Sequence, residues 1–107
     1  MRLSPWGGRP VNPLRGEVAL DLPGGVVRLR PTFAALVAAE EELGPLVRLV
    51  ERAGNGEIRL GEIAALFWHC AETAEPRPEF EARLARAGLK ALYPRFRALL
   101  LRIFEGS

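Results

Sequence analysis

The chain has 107 residues, 49% hydrophobic and 26% charged, with a formal net charge of +2 and one cysteine, Cys70. That length suits one domain with its own core, and the composition excludes a disordered chain or a disulfide-built scaffold. Arginine supplies fourteen of the fifteen basic residues, but so small a net charge is no footprint of a nucleic-acid binder.

Residues 1–14 read as an irregular N-terminal arm. Pro5, Pro10, Pro13 and the Gly7-Gly8 pair deny it regular hydrogen bonding, and Trp6 is its large apolar anchor. Trp6 either caps one edge of the core or belongs to a leader that orders on binding. The arm lacks the apolar run of a signal peptide, and no later window approaches a membrane span. A soluble, cytoplasmic protein with no membrane partner is the expectation.

Residues 15–107 are expected to form a single α+β domain, an N-terminal β-hairpin packed on a bundle of four to five α-helices. The hairpin, residues 17–30, alternates. Val18, Leu20 and Leu22 share one face, with Glu17, Ala19 and Asp21 on the other. Pro23-Gly24-Gly25 makes the turn. Val27 and Leu29 then point inward, with Arg28 and Arg30 outward. An isolated hairpin is marginal in water, so the helix starting at Pro31-Thr32-Phe33 is expected to cover it.

The first helix, about 32–43, has Thr32 as N-cap and presents Phe33, Leu36, Val37 and Leu43 to the strands. Glu40-Glu41-Glu42 is either a solvated acidic face or a docking spot for a basic partner. Gly44 ends the helix, and Pro45 opens the next, about 45–53, on a stripe of Leu46, Leu49, Val50 and Ala53. The third helix, about 61–74, is apolar over a wide arc and should be the most buried. A fourth, about 78–87, puts Phe80, Leu84 and Ala87 inside and Arg83 outside. The last, about 93–105, is expected to start at Tyr93-Pro94, since proline is tolerated only in a first turn. Its inward stripe is Leu92, Phe96, Leu99, Leu100 and Ile103, extended by Leu101 and Phe104.

The chemistry-bearing residues do not converge. His69 and Cys70 are neighbours in a helix and diverge by about 100°. With no second His or Cys, neither a thiol triad nor a zinc site can be assembled. Gly54-Asn55-Gly56 lacks the lysine of a phosphate loop. No catalytic, cofactor-binding or metal residues are assigned, and an enzyme is not expected. The basic C-terminal third could bear nucleic acid only if aromatics lay between its arginines. Phe96 and Phe104 belong instead to the apolar stripe, which disfavours nucleic acid.

Three stretches carry a resemblance: Asn12-Pro13-Leu14-Arg15-Gly16-Glu17-Val18-Ala19-Leu20, Arg28-Leu29-Arg30-Pro31-Thr32-Phe33-Ala34-Ala35-Leu36 and Leu46-Val47-Arg48-Leu49-Val50-Glu51-Arg52. Together they resemble the small tail protein family of gene transfer agents and related siphophage-like elements, labelled tail tube protein or tail assembly chaperone. Residues 12–75 carry the likeness, and Phe67-Trp68-His69-Cys70 departs from the small residues usual there. The resemblance implies tail morphogenesis, foremost as a chaperone covering the apolar faces of the helical tape measure protein. The alternatives are a structural tail tube or minor tail component of the particle, and a non-viral interaction module. Trp68, Phe96, Leu100 and Phe104 are the candidate partner-binding residues. Val18, Leu20, Val27 and Leu29 of the hairpin are the candidates for self-association into a homo-oligomer.

Overall fold

The computed structural model describes residues 17–106; the arm and Trp6 lie outside them. Two strands, β1 (Val18–Leu22) and β2 (Gly25–Leu29), precede five helices: α1 (Phe33–Leu43), α2 (Leu46–Gly54), α3 (Leu60–Cys70), α4 (Arg77–Ala87) and α5 (Leu89–Glu105). The α+β architecture is the expected one. The strands pair antiparallel, with Val18 opposite Leu29, Leu20 opposite Val27 and Leu22 opposite Gly25. This register gathers five of the hairpin's six large apolar side chains onto one buried face, leaving Val26 on the other. Gly24 and Gly25 turn the chain with φ of 96° and 140°, values that a side chain would strain. Glu17, expected outside, is buried, and its carboxylate lies 3.7 Å from Arg30 Nε, which offsets the cost of burying a charge.

The hairpin is covered by α4 and α5, which pack on β1, whereas α1 packs on α3. This corrects the expectation for α1. Its packing side carries Ala35, Leu36, Ala39 and Leu43, and the alanines let two helices approach closely. Phe33 and Val37, turned about 100° or more from that side, are 84% and 42% exposed. Thr32 does cap the helix, its hydroxyl accepting from the Ala35 amide at 3.1 Å.

Two helix boundaries also differ. The third helix stops at Cys70 because Ala71 is extended (φ −73°, ψ 135°) and joins the sheet. There Arg30 N–H donates to the Cys70 carbonyl at 2.7 Å, and Glu72 N–H donates to the Arg28 carbonyl at 2.9 Å. These bonds occupy the outer edge of β2. The last helix begins at Leu89, so Pro94 sits inside it, where its nitrogen can give nothing to the Lys90 carbonyl.

The wide apolar arc of α3 places it centrally, against α1, α4 and α5, with Ile63, Ala65, Leu66, Phe67 and Cys70 all buried. The Phe67 ring meets Phe96 of α5 edge-on, with centroids 6.2 Å apart. Phe80, Leu20, Leu29, Leu49, Leu92 and Leu99 are fully buried with them.

A candidate partner-binding groove between α2 and α5

Polar side chains in this domain hold its elements together. Glu42 at the end of α1 accepts from both Arg77 terminal nitrogens, at 3.0 and 2.7 Å, and lies 2.8 Å from His69 Nε2. Arg77 and then His69 hold the Glu42 carboxyl well below the usual range, at about 2. Glu40 accepts from the Leu46 amide at 3.0 Å, which satisfies one orphan donor of α2. Glu62 grips Arg52 through two bonds, at 2.9 and 2.6 Å. Arg83, expected to be solvated, is clasped instead. Its guanidinium donates to the Pro23 carbonyl at 2.9 Å, the Gly25 carbonyl at 2.8 Å and Glu75 at 2.6 Å, so α4 holds the hairpin turn.

Cys70 is buried, and burial pushes its thiol up to about 12, so it carries no thiolate at neutral pH. Among the described residues, no group of His, Cys, Asp and Glu side chains is arranged to hold a metal ion. None of their helices is long and apolar enough to cross a membrane.

The apolar side chains left over have a common place. Seen down α5, Leu92, Phe96, Leu99 and Leu100 form the core side. Tyr93, Arg97, Leu101 and Phe104, spaced by four, four and three, form a second side about 100° away. That second side and α2 flank a groove of about 170 Å³ lined by Val50, Ala53, Gly54, Arg97, Leu100, Leu101 and Phe104. Leu101 is 54% exposed and Phe104 64%. The Tyr93 hydroxyl donates to the Ala53 carbonyl at 3.3 Å and fixes the spacing of the two helices. Toward the start of α5, a second concavity of about 410 Å³ lies between Tyr93, Leu89 and Lys90 and the Ile58–Leu60 segment. The two hollows follow α5 from Leu89 to Phe104, about 22 Å at the helical rise.

The candidate residues fall in different places. Phe104 stands on the rim of the groove and Leu100 on its floor, 5% exposed. Phe96 is wholly buried and offers a partner nothing. Trp68 packs on Phe80 with ring centroids 5.7 Å apart, between α3 and α4 and away from the groove lining. Val18, Leu20, Val27 and Leu29 are core side chains, so self-association through them would require opening the domain. The groove residues not singled out from sequence are Val50, Ala53, Gly54, Arg97 and Leu101. For Leu101 the signal is the number of apolar residues on α5, which exceeds what one face can hold and so calls for two neighbours.

A model of the family described as phage tail tube protein, GTA-gp10, matches residues 15–106. The chain belongs to this family. The match takes in both strands and all five helices, so the groove lies within the GTA-gp10 domain. No curated protein and no solved structure matches the chain.

Proposed function

We propose that this GTA-gp10 family member is a non-catalytic tail assembly factor that holds an amphipathic helix of another tail protein in the groove between α2 and α5. The tape measure protein, long and helical, is the partner we favour, with binding taking place in the cytoplasm before the tail closes. The observation that carries this reading is the apolar second side of α5, where Leu101 and Phe104 stay exposed beside Val50 and Ala53. A track of this length suits a helix that reads out at i, i+3, i+4 and i+7. Arg97 and Lys90 line the two hollows and favour acidic residues at the margins of the bound helix.

Co-expression with a tape measure protein of a gene transfer agent, followed by pull-down, tests the proposal. A complex that forms with the wild-type chain and fails with Leu101→Glu is expected, because Leu101 is exposed and its replacement spares the core. No complex, or one indifferent to Leu101→Glu, would overturn it.

A second reading, a structural subunit of the tube or a minor tail component, is favoured by the family's own description as a tail tube protein. Mass spectrometry of purified particles separates the two. Stoichiometric copies support the tube reading and absence supports the assembly factor.

A further inference from the structure

The solvent side of α1 carries a stripe that the core does not use. Phe33, Val37 and Glu41 lie at i, i+4 and i+8, a line about 12 Å long turned away from α3. Its first two members are 84% and 42% exposed. Glu41 has no ion-pair partner among the described residues, unlike Glu42, which Arg77 and His69 hold. A scattered exposed apolar residue is ordinary. An apolar pair running into an uncompensated carboxylate is half of a helix-in-groove contact.

The groove between α2 and α5 supplies the other half. Phe104, Leu101 and Arg97 follow one another at spacings of three and four, and Arg97 also lacks an ion pair among the described residues. Laid antiparallel, Phe33 meets Phe104, Val37 meets Leu101 and Glu41 meets Arg97, so both the apolar order and the charge match.

We infer that the α1 stripe of one copy docks in the α2–α5 groove of a second copy, joining copies head to tail. The two surfaces differ, so the contact is heterologous and leaves one stripe and one groove open at the ends of every chain of copies. Two turns of helix make a small interface by the measure of stable complexes, so the contact is reversible. The inference rests on the groove being a binding site, as proposed above, and adds that a longer partner helix displaces α1. Self-association and partner binding therefore exclude each other.

Sedimentation velocity over a range of concentrations, with Phe33→Lys and Phe104→Lys beside the wild type, tests this. Both side chains are exposed, and unchanged circular dichroism melts check that the variants fold. The wild type is expected to grow past the dimer as concentration rises, and each variant alone to stay monomeric. An equimolar mixture of the two should form a one-to-one dimer and stop, because one intact stripe and one intact groove remain between them. A wild type that stays monomeric, variants that associate like the wild type, or a mixture without dimer would overturn the inference. Pull-down of the tail partner by Phe33→Lys keeps the two proposals apart, since that variant retains the groove whether or not copies associate.

Discussion

Glu42 ties three helices together, since it stands in α1 and its partners His69 and Arg77 come from α3 and the start of α4. Its folded carboxyl titrates near 2 instead of 4.5. The stabilisation is therefore complete above the ordinary carboxylate pKa and fades as the pH falls toward 2. Because the side chain is 40% exposed, solvent screening limits the contribution to about 1 kcal/mol or less. Glu42→Gln should lower the urea midpoint at pH 7, and the difference from wild type should vanish near pH 2. A difference that persists unchanged at pH 2 would assign the effect to packing. Arg83 is worth more because its head group is largely enclosed, with 16% exposure, and satisfies three acceptors. Hydrogen bonds to charged groups put the cost of Arg83→Met at about 2 kcal/mol, read as a lower denaturation midpoint with faster amide exchange in β1 and β2. Neither role was legible in the sequence. Both residues read as ordinary members of solvated helix faces, and their farthest partners lie 35 and 60 residues away.

Elements were legible where a local pattern decides them and illegible where a distant one does. The alternation of the hairpin, its glycine turn, the Thr32 cap and the glycine after α1 all act within a few residues, and each stands where expected. The end of α3 is decided by β2, which recruits Ala71 as an edge partner, and nothing near Ala71 announces that. The start of α5 departs from the expectation because Pro94 does not hold a first-turn position; its helix opens five residues earlier, at Leu89. That arrangement has a consequence that can be measured. An interior proline forfeits a backbone bond and crowds the preceding turn, so Pro94→Ala should stabilise the domain by about 2 kcal/mol. Its half-exposed neighbour Tyr93 and the exposed site itself leave room for the change. A lower melting temperature in the Ala variant would mean that the proline sets a bend the packing requires.

At the scale of the whole molecule, the apolar side chains divide between those the core buries and those it leaves at the surface. The core takes the hairpin face, the inner arc of α3 and one side of α5. The other side of α5, facing α2, and the outer stripe of α1 remain outside it. The sequence announced an excess of apolar residues on the last helix. It could not announce which of them the core would claim, because that depends on the angle at which α5 crosses β1 and α2. Phe96 and Phe104 look alike as sequence and end on opposite sides of that division. If a helical tail partner sits in the groove, position 104 lies against it. A photo-crosslinking residue at position 104, irradiated in the co-expressed complex and read by peptide mass spectrometry, tests this most directly. Adducts to amphipathic helical segments of the tape measure protein, absent when the same residue stands at exposed position 86 on α4, are predicted. Equal crosslinking from both positions, or none from position 104, would contradict it.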